Sequence, residues 1–231
     1  MKALLLSVCV AVAGTLVAQS TQTRTPGTFN RISVNNNIDA TIVRGSDYSV
    51  ELSGRAELVE AVKTEIDGNT LKLEYDRDLY ESFKGLWKDN TIKAVITLPA
   101  LTGVVANGGA DVTSAEAWRA DEFSVIANGG ADIDINVQTV NAKIIANGGA
   151  DVRIGGKVKS LKVTANGGAD VEARDFAAED VDITANGGAD VSVHADNTLK
   201  ARANGSADIT YYGNASQVDV KSNGGADIER G

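Results

Sequence analysis

The sequence predicts an all-β fold, a single-stranded parallel β-helix or solenoid with about 19–20 residues per rung and an N-terminal capping region with hairpins. The first observation is a repeat, because the phrase Ala-Asn-Gly-Gly-Ala-Asp-Val at 106–112 returns six more times in recognisable form. The second is its period, since successive asparagines stand 21, 19, 19, 20, 18 and 19 residues apart. The third is the alternation of apolar and polar residues through each phrase, which is typical of strands with one buried face and excludes amphipathic helices.

Residues 1–19 are predicted to be a secretory signal peptide. Lys2 supplies a positive charge, residues 3–17 form an uncharged and mostly apolar run, and Ala18-Gln19 offers the cleavage site. The run is shorter than the roughly 20 apolar residues of a membrane-spanning helix, so no transmembrane span is expected in the mature chain. We therefore expect an exported protein of the periplasm, the outer cell surface or the surrounding medium.

Charge and cysteine content narrow the chemistry of the mature chain. The net charge is −9, and removal of Lys2 with the signal makes it −10. An acidic surface repels phosphates, so no nucleic-acid partner is expected. The single cysteine, Cys9, lies in the signal, so neither a disulfide nor a cysteine metal site is expected in the mature fold.

Order is expected to begin near Phe29, after a flexible leader at 20–28 that contains a Pro-Gly pair. The segment 29–100 forms the N-terminal part of the domain. In order, it is predicted to contain a degenerate early rung at Ile32–Ile42, a strand at Tyr48–Leu52, a short helix within Arg55–Lys63, a hairpin turned at Asp67-Gly68-Asn69, an aromatic insert at Tyr75–Trp87 and a strand at Ile92–Leu98.

The segment 101–231 is predicted to be a seven-repeat solenoid whose rungs each have two strands and two turns. Counting from each asparagine, the small residues at −1, +1 and +3 are expected to point inward, where backbones approach closely. Stacking places identical side chains beside one another, and asparagine amides can then form a ladder of hydrogen bonds from rung to rung. The predicted structural ladder consists of Asn107, Asn128, Asn147, Asn166, Asn186, Asn204 and Asn223.

The repeated aspartates need a separate explanation, because carboxylates about 4.8 Å apart repel by roughly 0.9 kcal/mol even in water. They could cap backbone N–H groups of the Gly-Gly bend, they could collect cations such as Ca²⁺, or they could form a repetitive ligand surface for a glycan or another polymer. No cofactor is otherwise expected. The metal interpretation concerns Asp111, Asp132, Asp151, Asp170, Asp190, Asp208 and Asp227.

Catalytic motifs are missing from the sequence. The lone histidine, His194, has no second histidine, thiol nucleophile or phosphate-binding loop to work with. A glycosidase or polysaccharide lyase would need two carboxylates in different environments, and near-identical rungs supply near-identical environments. The irregular insert is the better place for a ligand, and although capping of the solenoid end is favoured there, its candidate ligand-binding residues are Glu74, Tyr75, Asp76, Tyr80 and Trp87.

The Phe29 lead-in, the junction Thr97-Leu98-Pro99-Ala100-Leu101 and the Gly-Gly-Ala-Asp repeats together resemble the head GIN domain family, described as auto-transporter adhesins. The resemblance covers roughly Phe29 to Ile228. It implies an exported bacterial β-solenoid for which the family supplies no established catalytic residues.

The function expected is that of a non-enzymatic cell-envelope binding or scaffold protein, an adhesin that uses the Asn/Asp stripe or the aromatic insert. Its partners would be a glycan or a cell-surface protein, and the alternative is a carbohydrate-active enzyme on the same architecture. The last rung, Val218 to Ile228, would also offer unpaired backbone groups, so self-association through the solenoid ends is a further expectation.

Overall fold

The computed structural model describes residues 19–76, 78–79 and 91–231. Apart from Gln19, the predicted signal peptide lies outside these residues, and so does most of the aromatic insert. The described chain forms sixteen strands and one short helix, and the strands stack in parallel coils of about seven turns. The predicted fold class, a parallel β-solenoid, is therefore confirmed.

Complete rungs occupy the middle of the solenoid. Each runs as one long strand from the aspartate of one phrase to the first glycine of the next, and neighbouring strands pair in parallel. The repeat strands are β8 (Gly103–Gly108), β9 (Asp111–Gly129), β10 (Asp132–Gly148), β11 (Asp151–Gly167), β12 (Asp170–Gly187), β13 (Asp190–Gly205), β14 (Asp208–Tyr212), β15 (Gln217–Gly224) and β16 (Asp227–Arg230). Because equivalent phrase positions are register partners, each sequence column becomes a straight row of side chains along the solenoid.

The two glycines of each bend have different physical roles. The first, such as Gly148, has a φ of +83°, and a Cβ built on it would lie 2.9 Å from the carbonyl oxygen of Gly129 in the rung before. The second, Gly149, has an ordinary φ and a Cβ would meet that oxygen at 3.7 Å. Only the first position therefore requires glycine, and one rung carries Ser206 at the second.

One expectation about the bend is wrong. The alternation predicts that the first glycine points inward with the alanines at −1 and +3, but both glycines are exposed, as Gly108 and Gly109 show. The alanines are fully buried, for example Ala106 and Ala110. The positive φ turns the chain at the glycine, so the alternation of inward and outward residues stops there and resumes at the second alanine.

The early rung is confirmed by its pairing. It consists of β2 (Arg31–Asn35) and β3 (Ile38–Arg44), which place Asn35 beside Asn107 and Asp39 beside Asp111. It is tied to the first full repeat by Ser114, whose Oγ donates to the Ile42 carbonyl at 2.9 Å and accepts from Trp118 Nε1 at 2.9 Å. Ser114 is the one polar side chain buried in the described core, and this bond pair satisfies it.

The N-terminal end of the solenoid has five additional strands and a helix. The strands are β1 (Gln19–Arg24), β4 (Ser49–Arg55), β5 (Val62–Asp67), β6 (Thr70–Tyr75) and β7 (Ile92–Leu98). β6 and β7 continue the parallel stack beyond β2 and β3, whereas β1, β4 and β5 pair antiparallel and close the end. The predicted helix is α1 (Ala56–Ala61), which buries Leu58 and Val59, and the predicted hairpin joins β5 to β6 through Gly68-Asn69.

The stretch expected as a flexible leader carries β1 over its first part, because this strand pairs antiparallel with β4. Within the described residues, no helix is both long and apolar enough to cross a membrane.

Candidate functional site

The asparagine ladder is continuous and points one way. In every step the side-chain Nδ2 of one asparagine donates to the Oδ1 of the asparagine in the preceding rung, with distances of 2.7–2.9 Å. The ladder holds all seven predicted asparagines and gains Asn35, whose own Nδ2 donates to the Leu73 carbonyl at 3.2 Å. Seven successive hydrogen bonds between side-chain amides thus connect the same corner of neighbouring rungs.

The aspartate stripe lies four residues beyond the ladder, on the other side of the bend. It contains the seven predicted aspartates and Asp39, all joined as register partners from rung to rung, namely Asp39, Asp111, Asp132, Asp151, Asp170, Asp190, Asp208 and Asp227. Their backbones are separated by single rungs, so the carboxylates form a row of like charge along the solenoid.

Partial burial and neighbouring carboxylates raise the pKa of several of these carboxyl groups. Partial burial raises the pKa of Asp132, and the neighbouring carboxylates of Asp111 and Asp151 raise it further. Burial followed by adjacent carboxylates likewise raises the pKa of Asp111 and Asp170, and burial raises that of Asp39. The charged stripe is therefore held at an electrostatic cost to the fold.

Backbone carbonyl groups of the preceding rung accept the N–H groups of the bend. The N–H of Gly130 donates to the carbonyl of Gly108 at 2.7 Å, and the N–H of Asp132 donates to that of Ala110 at 3.1 Å, with the same pattern in later rungs. Carboxylate caps are not needed to satisfy these donors. Over the part of the chain that the structure describes, no group of three or more acidic, histidine or cysteine side chains is placed to hold a metal ion. Calcium binding by the stripe remains a prediction.

An open groove runs along the solenoid beside the stripe, and we call it the axial groove. It consists of three adjoining concavities of about 480, 290 and 450 Å³, all of which are lined by Glu172. Residues at phrase positions +4 and +6 form most of its floor. Its polar and charged lining comprises Asp111, Thr113, Asp132, Asp134, Asn136, Asp151, Arg153, Asp170, Glu172, Arg174, Asp175, Asp190, Ser192, Asp208, Thr210, Tyr212, Asp227 and Glu229.

One ion pair lies in the floor of the axial groove. Arg153 Nε donates to Glu172 Oε2 at 2.7 Å across adjacent rungs, and this hydrogen bond lowers the pKa of Glu172. Most other charged groups of the lining are carboxylates, so the groove offers hydrogen-bond acceptors and negative potential along its length. Such a surface suits ligands that bring hydroxyl or amino groups.

A bulge in β12 forms one wall of the axial groove. Ala173 pairs with Val193 and Ala177 pairs with His194, so three residues of β12 have no counterpart in β13. Phe176 of the bulge is buried in the core, whereas Arg174 extends over the Tyr212 ring, with its guanidinium carbon 4.2 Å from the ring centroid. The bulge and its cation–π contact therefore make this part of the surface different from that of the regular rungs.

The described part of the aromatic insert serves the fold. Tyr75 is only 7% exposed, and its hydroxyl donates to the Asn37 carbonyl at 3.1 Å. Glu74 is partly exposed on β6, and Asp76 forms an ion pair of 2.8 Å with Lys63 while accepting from the Asp78 N–H at 2.9 Å. The other two candidates, Tyr80 and Trp87, lie outside the described residues.

His194 lies beside the axial groove but is held by its own strand. Its Nε2 is 2.9 Å from Asp196 Oδ1, and the two side chains are partly exposed. His194 is therefore a hydrogen-bonded residue at the surface.

The bulge and the groove were missed at the sequence level. The only trace is the step of 20 residues between Asn166 and Asn186, one longer than its neighbours on the N-terminal side. A lengthened step shows that residues are inserted, but it does not show that they form a wall beside Tyr212.

The chain matches the sequence profile of one known protein family. The sequence profile of the family described as "Putative auto-transporter adhesin, head GIN domain" matches residues 28–215. A search of curated proteins finds no match.

Solved structures share the fold at low sequence identity. A "putative adhesin" from Bacteroides fragilis has a TM-score of 0.85 and 21% identity, with 92% of this chain and 97% of that chain covered. A "putative adhesin" from Parabacteroides merdae has a TM-score of 0.68 and 19% identity, covering 92% and 96%. A "putative lipid binding protein" from Parabacteroides distasonis has a TM-score of 0.66 and 15% identity, also covering 92% and 96%.

Proposed function

The chain belongs to the head GIN domain family, and from that premise we propose that it is an exported, non-enzymatic adhesin that binds glycans at the cell envelope through the axial groove. The family description and the names of the similar structures support the adhesin part of this proposal. Export is supported by the family and by the predicted signal peptide. The glycan part is supported by the shape and chemistry of the groove.

The observation that carries the proposal is the length and regularity of the axial groove. It crosses successive rungs with the same aspartate at each step, so a ligand with its own repeat can make equivalent contacts several times. Weak contacts that are repeated along one molecule add up to useful avidity. A polysaccharide fits this description better than a small metabolite, because small-molecule sites are usually enclosed and apolar.

The charge of the axial groove selects among polysaccharides. Carboxylates accept hydrogen bonds from sugar hydroxyls and attract protonated amines, whereas they repel uronate and sulfate groups. We therefore propose neutral or amino-sugar polymers as ligands and expect polyuronates to be rejected.

The same regularity is the support for a non-enzymatic function. Hydrolysis of a glycosidic bond requires one carboxyl group to be protonated while a second is ionised, in distinct environments. In the stripe, the pKa values of Asp111, Asp132 and Asp170 are raised for the same reason, namely burial beside like charges. Within the stripe these shifts all go in the same direction, so no rung of the stripe is set apart as the acid with another as the base or nucleophile.

A binding experiment with charge-matched variants tests the proposal. Biolayer interferometry on the immobilised mature protein would use cellulose-type, chitosan and polygalacturonate oligosaccharides as probes. Binding of the first or second, but not of the third, is expected. The variant Asp170→Asn/Glu172→Gln should weaken binding, whereas the control Asp121→Asn/Glu179→Gln removes the same charge from exposed positions outside the groove lining and should not.

Two results would contradict the proposal. Equal losses in both double variants would mean that net charge, and not the axial groove, determines binding. Release of new reducing ends from any bound oligosaccharide would show catalysis and favour the carbohydrate-active enzyme instead.

A further inference from the structure

We infer that the outer edge of β15 is a pairing surface for a second copy of this chain, with the two β15 strands antiparallel and centred on Val220. The inference concerns assembly and does not depend on what the axial groove binds. It rests on the exposure of the last rung, on the order of charges along β15 and on the end of the asparagine ladder.

The last rung is built like the inner rungs but is left uncovered. Val218 and Val220 are 44% and 42% exposed, whereas their register partners in β13, Leu199 and Ala201, are buried. Within the described fold, β15 pairs only with β13, so its other edge presents free backbone N–H and C=O groups. Such an edge pairs readily with another strand unless charge or a bulge prevents it.

The order of residues along β15 favours a two-fold pair with one register. With Val220 opposite itself, Asp219 lies opposite the partner copy's Lys221 and the reverse pair forms as well, which gives two ion pairs on the outward face. Shifting the centre to Asp219 or to Lys221 places like charges on the axis. A centre between two residues would put inward side chains opposite outward ones.

The pairing with a second copy extends the asparagine ladder beyond its last member, Asn223. Asn223 donates its Nδ2 to Asn204 at 2.9 Å, so its Oδ1 is the acceptor end of the ladder. In the register centred on Val220, Asn223 lies opposite the second copy's Gln217, whose amide can donate to that oxygen. On the inward side, Val220 lies opposite its own copy and Val218 lies opposite Ser222.

The opposite end of the solenoid does not offer an equivalent surface. α1 covers the core there, and the outer strand β1 has the polar sequence Gln-Ser-Thr-Gln-Thr-Arg. In β16 the outward residues Asp227 and Glu229 are both acidic and would repel across a two-fold axis. The pairing is therefore assigned to β15, and it closes at two copies instead of growing into a fibre.

Sedimentation velocity of the mature protein over a wide concentration range tests this assignment. The wild-type chain should show a reversible monomer–dimer equilibrium. Lys221→Asp places carboxylates opposite each other twice, and we expect it to weaken the dimer by at least about tenfold. Asp219→Lys/Lys221→Asp restores opposite charges across the axis and should recover most of the affinity, although it also removes the 3.2 Å ion pair between Asp219 and Arg202.

Glu60→Lys, a charge reversal at an exposed position of α1 at the other end, is the control and should leave the dimer unchanged. Circular dichroism of each variant checks that the solenoid remains folded. A wild-type chain that stays monomeric, a dimer insensitive to Lys221→Asp, or oligomers that grow without limit would each overturn the assignment.

Discussion

Replacing Asp132 by asparagine should stabilise the fold, which is an unusual expectation for a side chain repeated in every rung. Asp132 lies between Asp111 and Asp151, each about 4.8 Å away along the stack. Coulomb's law in water gives about 0.9 kcal/mol of repulsion for each neighbour. Screening at physiological salt reduces the sum to about 1 kcal/mol, and the attraction of Arg153 offsets part of it. A neutral amide at this position would also be spared the cost of partly burying a charge.

The pH dependence of this effect has a definite sign. Because the pKa of Asp132 is raised in the folded state, the folded protein keeps this proton at pH values where the unfolded chain has lost it. The destabilisation is therefore fully present above the folded pKa and disappears below the unfolded pKa. Wild type and Asp132→Asn should differ at pH 7 and melt together at about pH 3.5.

Thermal unfolding followed by circular dichroism at both pH values measures the difference, and about 1 kcal/mol corresponds to a rise in Tm of roughly 2–4 °C for a chain of this size. Asp182→Asn is the matched control, since Asp182 lies between Lys162 and Lys200 and should lose attraction on neutralisation. A lower Tm for Asp132→Asn at pH 7, or the same shift in both variants, would refute the argument from like-charge stacking.

Three further predictions concern the ladder, the bend and calcium. Asn147→Ala removes two amide hydrogen bonds from the middle of the ladder and should lower the free energy of unfolding in urea by about 2 kcal/mol. Asn223→Ala removes one at the exposed end and should lower it by about 1 kcal/mol or less. Equal losses in the two variants would show that the hydrogen bonds of the ladder contribute little. In the same unfolding experiment, Gly148→Ala should destabilise the fold by about 1–3 kcal/mol and Gly149→Ala by much less. Only Gly148 has a positive φ, and only there would a new Cβ lie 2.9 Å from the carbonyl oxygen of Gly129. Similar losses in the two variants would contradict the different roles of the two glycines. Calcium should raise the Tm no more than magnesium at equal concentration, if the stripe only gathers ions diffusely, and saturable heat on calcium titration would instead reveal a coordinated site.

The repeat made most of the fold predictable from the sequence. The phrase containing Asn107 and Asp111 gave the period, the parallel register and the ladder, because stacking turns sequence identity into spatial adjacency. Local patterns also gave α1 and the hairpin at Gly68-Asn69. These features depend on neighbours in sequence or on an exact repeat, and both are visible without a structure.

Features that depend on departures from the repeat were much harder to predict. The inward orientation predicted for Gly108 was wrong, because the alternation of inward and outward side chains does not continue through a residue with positive φ. The wall formed by Arg174 depends on where an inserted residue is accommodated, which the sequence does not specify. The strand β1 was also missed, since its polar residues carry no apolar alternation and only pairing with β4 makes them a strand.

The requirement for glycine at only the first position of each bend has a consequence for how such a chain can change length. Every rung carries its own corner, and in each one the amide and the carboxylate stand four residues apart. Whole periods can therefore be gained or lost by duplication or deletion while each new neighbour still matches the one before it, and a difference of one or two residues between rungs is taken up in a bulge such as that of β12. The length of the solenoid, and with it the length of its surface, can therefore change by one rung at a time while the core residues of the other rungs stay the same.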